Sequence, residues 1–156
     1  MRGPRIGAVL VRVLVVEPGI LTRMDDLTSA AYEVAFDALA GVYLEDSWVL
    51  AVTVQDQGCT FELDAVLTPE HPRYRDPRPG EQYCHERARL TLTSGSAVEF
   101  QPGDGPPATD ATGERDWGNI DTFVPVDWEG RAAWSLGGGW GTLLVAEPSV
   151  TYTPAT

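Results

Sequence analysis

The sequence predicts a mainly β chain, an antiparallel β-sandwich or barrel-like sheet of about eight short strands with one N-terminal helix. Three observations carry that expectation. Apolar and polar residues alternate with a period of two in paired runs, the repeat of a half-buried strand. Glycine (16) and proline (12) are spread along the 156 residues and cut them into short segments. One stretch alone carries the i, i+3, i+4 spacing of an amphipathic helix.

That helix is expected from the stripe Leu27, Ala30, Ala31, Val34, Ala35, Ala38 and Leu39, with Tyr32 and Phe36 lying off it. Asp25 and Asp26 suit its positive end, and Gly41 can close it. The stretch from Val42 to Leu67 organises the rest. Trp48, Leu50, Val52 and Val54 alternate with Val49, Ala51 and Thr53, and after Asp56-Gln57-Gly58 the alternation resumes. Cys59, Phe61, Leu63, Ala65 and Leu67 then share one side, while Thr60, Glu62 and Asp64 share the other. Two such runs joined by a short glycine-containing connection predict a β-hairpin. Its first strand is apolar on both faces and is expected to be central; its second has one wet, acidic face.

A proline-rich loop, Thr68 to Gln82, comes next, with Arg73, Arg75 and Arg78 concentrated in it. A long irregular loop of this kind is either functional or tied down by its own side chains. Tyr83 to Thr93 alternates again, with Arg87 and Arg89 on the polar side. If this strand neighbours the second, they fall opposite Glu62 and Asp64. Short strands are expected at 97–101, 117–126, 131–136, 142–147 and 149–153. The segment from Pro102 to Glu114 reads as a surface loop, and Gly137 to Gly141 as a β-turn. The glycine run has no GxxxxGK[ST] pattern and no helix after it, so it is not a phosphate loop.

Charge divides the chain. Residues 1–23 carry four arginines against Glu17, leaving 24–156 with seven arginines against 22 carboxylates. The boundary predicts an N-terminal extension at 1–23, either disordered or an over-extended translation with Met24 as the true start, and a single β-rich domain at 24–156. A strand from the valine-rich run is the alternative. Ile6 to Val16 is interrupted by Arg12, too short for a membrane span and too broken for a signal peptide. The expectation is a cytoplasmic protein with no membrane association. The net charge of −12, with all 11 basic residues arginine, disfavours nucleic acid as a partner and permits a basic one. A GC-rich genome explains the arginine-only usage without any function. Cys59 and Cys84 lie on apolar faces; buried free thiols are the expected state, and a disulfide is conceivable if their strands pair.

Chemistry has little support. Ser47 lacks a GxSxG elbow. No HExxH or HxH spacing is present, and no cofactor is assigned. The runner-up reading is a metal-dependent enzyme or small-molecule binder using His71 and His85 with nearby carboxylates around the proline-rich loop. A third is a structural subunit whose exposed strand pairs with a copy of itself. Trp117, Trp128, Trp134 and Trp140 crowd together with Phe123. Such residues mostly fill a core, but tryptophan also anchors interfaces. The leading reading is therefore binding without catalysis, with an acidic and aromatic surface masking a basic protein partner. Glu45, Asp46, Glu62, Asp64, Asp116, Trp117 and Asp121 are its candidate contacts.

The runs YLEDSWVL, FELDAVLTPEHP, PGEQYCHERARL, WGNIDTF and GGWG give the chain a texture that resembles small bacterial β-rich domains of unknown function. It is also similar to the immunity proteins of polymorphic toxin systems, which are small, acidic and sheet-rich. The resemblance spans about residues 42–147 and rests on general texture rather than on a specific motif. It implies no catalytic residues. Its immunity branch implies a protein partner bound through an acidic surface.

Overall fold

A computed structural model describes residues 32–109 and 111–155. The expected extension at 1–23 and the first part of the expected helix lie outside them. The strands are β1 Val42–Gln55, β2 Gly58–Leu67, β3 Cys84–Thr93, β4 Glu99–Pro102, β5 Ala108–Thr109, β6 Arg115–Asp116, β7 Thr122–Trp128, β8 Arg131–Gly138, β9 Gly141–Ala146 and β10 Ser149–Pro154. Two four-stranded antiparallel sheets, ordered β1-β2-β3-β10 and β4-β9-β8-β7, face each other; β5 and β6 form a small ribbon. The expected sandwich of about eight strands is present, and neither sheet closes into a barrel.

The period-two pattern does the sorting. Cys59, Phe61, Leu63, Ala65 and Leu67 of β2, with Cys84, Ala88, Leu90 and Leu92 of β3, are buried against Phe123, Leu136, Trp140, Leu143 and Val145 of the second sheet. Each large side chain so placed contributes about 1.5–3 kcal/mol of burial. The two-residue turn Asp56–Gln57 sets the register of β1 on β2. The β2–β3 register is the one expected from charge: Glu62 stands opposite Arg89, and Asp64 opposite Arg87.

β1 departs from expectation: it is an edge strand, not a central one. Its two apolar faces arise because the side that faces the core changes along it. Val42, Leu44 and Val49 are buried, while Tyr43, Trp48 and Val54 are exposed. Register shifts between Tyr43 and Trp48 and between Val49 and Ala51 mark bulges that break the alternation.

The expected strand from Trp117 begins only at Thr122. Residues 117–119 run instead along the outer edge of β1. There the Trp117 N–H donates to the Val49 carbonyl at 2.8 Å, and the Val49 N–H donates to the Gly118 carbonyl at 2.7 Å. The segment also crosses the glycine run. A Cβ on Gly138 would meet the Asn119 carbonyl oxygen at 2.0 Å, so only glycine fits beneath it. The expected loop before it holds the short strand β5.

The helical segment is shorter and differently turned than its stripe suggests. Residues 32–35 are helical, Asp37–Leu39 form a 3-10 turn, and Gly41 closes it with φ of 81°. Tyr32 and Phe36, which lie off the stripe, face the core, while Val34 on the stripe is 72% exposed. Aromatic stacking decides this. Tyr32 and Phe36 lie 5.5 and 5.6 Å from Phe123, and Phe36 lies 4.8 Å from Trp134. The Tyr32 hydroxyl donates to Glu45 Oε1 at 2.7 Å and accepts from the Leu44 N–H at 3.0 Å.

Both cysteines are free and buried. Cys59 pairs with Leu92 and Cys84 with Leu67, at opposite ends of the β2–β3 ladder. At about 3.3 Å per residue they are on the order of 25 Å apart, far beyond disulfide reach. Burial pushes the Cys59 thiol up to about 12, which keeps it protonated.

Tyr32→Phe strands the buried Leu44 N–H and should cost about 1–3 kcal/mol, read as a lower urea midpoint at unchanged slope. Native protein should resist thiol labelling at Cys59 at pH 8, whereas unfolded protein should label at once.

Candidate functional site

The bulge in β1 builds the most chemically distinctive surface. Between Tyr43, opposite Val66, and Trp48, opposite Asp64, four residues of β1 face one of β2. Ser47 fills the gap in the ladder. Its hydroxyl donates to the Tyr43 carbonyl at 2.7 Å and accepts from the Val66 N–H at 2.9 Å. Ser47 is completely buried, and both hydrogen bonds of its hydroxyl serve the fold. By holding the extra residues out, it lets Tyr43 and Trp48, 38% and 49% exposed, both reach solvent with Glu45 and Asp46 between them in the chain.

Beside Trp48 lies an open cleft of about 450 Å³ lined by Asp46, Trp48, Gln82, Tyr83, His85 and Asn119. The rings of Trp48 and Tyr83 stand 6.3 and 6.2 Å from that of His85. Asp46 shapes the local field. Its hydrogen bond and charge raise the Tyr83 hydroxyl above its ordinary value, and its charge is the main cause of the same shift at Tyr43. The Nδ1 of His85 is buried without a hydrogen-bond partner, 3.8 Å from Asp64 Oδ2.

Of the other candidate carboxylates, Glu45, Glu62, Asp64 and Asp116 are engaged within the fold. Glu45 accepts from Tyr32. Glu62 pairs with Arg89 at 2.8 Å, and Asp64 lies 3.9 Å from Arg87, which also pairs with Glu114 at 2.8 Å. Asp116 accepts from the Gly118 N–H at 2.8 Å and so shapes the bend that lays 117–119 on β1. Trp117 packs partly buried against the core and lines a separate apolar pocket with Trp140 and Phe100. Asp121 is exposed at the start of β7, its N–H bonded to Gly137. The structure thus gathers Glu45, Asp46, Glu62 and Asp64 on two neighbouring strands and sets Trp117, Asp116 and Asp121 apart from the cleft.

Sequence reading missed Trp48, Tyr43 and Tyr83 as contacts. For Tyr43 and Trp48 the signal was present in the doubly apolar β1, which fits an edge strand with aromatics turned outward as well as it fits a central one; Tyr83, just before β3, had none.

His71 and His85 are not brought together. His85 projects with Arg87 on the outer face of β3, beside Asp64 of β2, whereas His71 is 7% exposed and packs edge-on at 6.1 Å against Tyr152, whose ring lies against the core. Among the described residues no group of three His, Cys, Asp or Glu side chains is placed to hold a metal. His71 instead anchors the proline-rich loop: its Nδ1 accepts from the Arg73 N–H at 3.0 Å. Arg73 in turn forks onto Glu86 at 2.6 and 3.0 Å, and the Tyr152 hydroxyl donates to the same carboxylate at 2.8 Å. Glu81 accepts from Arg75 and from the Arg78 N–H. The loop is tied down by its own side chains.

Comparison with protein-family models, with curated proteins and with solved structures finds no match. Among the described residues no helix is long and apolar enough to cross a membrane.

Burial and the neighbouring Arg73 push His71 below its ordinary value, and the Arg73 fork does the same for Glu86. Both groups bind protons more readily when unfolded, so each stabilises the fold above its unfolded pKa and loses that contribution as pH falls. Stability should therefore decline as pH drops below about 6.5, where unfolded histidine titrates, and again below about 4.5. Urea midpoints measured against pH should show the upper step in the natural protein and its loss in His71→Gln.

Proposed function

We propose that this chain is a small cytoplasmic binding protein, immunity-like in its mode of action, that masks a basic surface on a protein partner. The observation that carries the reading is the pair of exposed aromatics on β1, Tyr43 and Trp48, set around Glu45 and Asp46 on a chain of net charge −12. Negative charge attracts a basic partner over several ångströms and raises the encounter rate. Exposed aromatic rings then supply the anchor that slows release. A protein that acts this way needs no catalytic group or cofactor.

Asp46 sits beside the exposed aromatics and has no arginine paired with it among the described residues. Glu62 and Asp64 act at longer range. Their arginine pairs are half-exposed and contribute only about 0–1 kcal/mol each, so a competing cation can share these carboxylates at little cost.

The test is affinity capture from a lysate of the source cells with the full chain, at low and high salt, beside Asp46→Arg and Trp48→Ala. These positions are chosen because reversing Glu62 or Asp64 would break internal ion pairs and confuse folding with binding. A basic protein captured at low salt, released at high salt and held at least about tenfold more weakly by each variant is the expected result. Capture of nothing, or capture insensitive to salt and to both substitutions, removes the masking reading.

A further inference from the structure

The cleft beside Trp48 is lined by side chains that suit one kind of group. Asp46, Trp48, Gln82, Tyr83, His85 and Asn119 surround it, with no arginine among them. Three of the six are rings, and those of Trp48 and Tyr83 are inclined at 47° and 72° to that of His85, so their faces are presented in different directions. Several acceptors face an incoming group. Asp46 offers a carboxylate. Gln82 turns its Nε2 toward the Tyr83 hydroxyl at 3.5 Å, leaving its amide oxygen. Asn119 commits its Nδ2 to the Ser47 carbonyl at 2.8 Å, leaving its Oδ1. A group that brings positive charge, several N–H donors and flat faces uses the carboxylate, the amide oxygens and the rings together.

Guanidinium meets all three requirements. It is planar, carries five N–H groups, pairs with a carboxylate through two of them and stacks on aromatic rings. An ammonium group is a compact, strongly hydrated charge that uses neither the flat faces nor the spread of acceptors. We propose that this cleft is an arginine pocket, which receives the guanidinium of one arginine side chain of the basic partner, with Asp46 as its counter-ion and Trp48, Tyr83 and His85 as stacking faces. The identity of the occupant as a protein side chain rests on the masking reading; the chemistry of the pocket does not need the partner to be in hand.

The experiment is a titration of the full chain with N-acetyl-arginine amide, followed by the Trp48 indole N–H resonance, which Trp48→Phe identifies by its disappearance. N-acetyl-citrulline amide, the same shape without the charge, and N-acetyl-lysine amide run alongside. The arginine compound should shift the Trp48 signal saturably, citrulline should not, and lysine should bind several-fold more weakly. Asp46→Asn, which keeps the side-chain shape, should weaken arginine binding about tenfold or more while leaving the urea midpoint of the chain unchanged. An unmoved Trp48 signal, an equal response to citrulline or to lysine, or undiminished binding in Asp46→Asn overturns the pocket. Failure here with salt-sensitive capture intact removes the pocket and leaves masking standing. Arginine-specific binding by a chain that captures no protein keeps the pocket and removes masking.

Discussion

The two backbone hydrogen bonds that clip residues 117–119 onto Val49 are the constraint on which the rest of the structure depends. They join the edge of the first sheet to the strand that enters the second. Around them the polar groups of the crossing are paired: Asn119 donates to Ser47, its own carbonyl accepts from the Trp140 indole, and Asp121 bonds Gly137. The glycine run lets this segment lie flat, because a side chain on Gly138 would occupy the place of the Asn119 carbonyl. With the segment fixed, β1 cannot slide, its bulge is held from both sides, and the aromatics of the bulge keep a defined direction. A site on an edge strand thereby acquires the rigidity usually found in the middle of a sheet.

The acidity of the chain has a structure of its own. Carboxylates on the outer face of the first sheet are interleaved with arginines in register, Glu62 with Arg89 and Asp64 with Arg87. Glu86 is drawn to the rim, where Arg73 and Tyr152 hold it as the knot of the proline-rich loop. Much of the negative charge therefore serves the fold at close range and projects a field only at a distance. Asp46 differs in having rings and amide oxygens for neighbours, which confines its field to a small, shaped volume.

The hairpin, the β2–β3 register and its charge pairs were legible in the sequence because period-two alternation fixes which residues face each other once the turn is placed. The β-turn at the glycine run was legible for the same local reasons. The position of β1 in its sheet was not, since a bulge inverts the alternation without leaving a mark in composition. Tyr32 and Phe36 were misplaced because helical periodicity reads a stripe of alanines and leucines, while the core selected the larger rings that stack on Phe123. The candidate site was half legible. Asp46 and its charge were visible, but Trp48, Tyr83 and His85 meet only through the pairing of strands far apart in sequence.

Among the described residues, the four edges of the two larger sheets share a guard against further strand pairing. Pro102 in β4, Pro125 in β7 and Pro154 in β10 each remove an N–H from an edge, and β1, which has no proline, is bulged and already bridged at Val49. Among the described residues no edge offers a long, regular row of donors and acceptors on which another strand can template, the geometry from which cross-β fibres grow. The rings of Tyr43 and Trp48 thus stand in solvent above a stretch of backbone that is unsuited to continue the ladder.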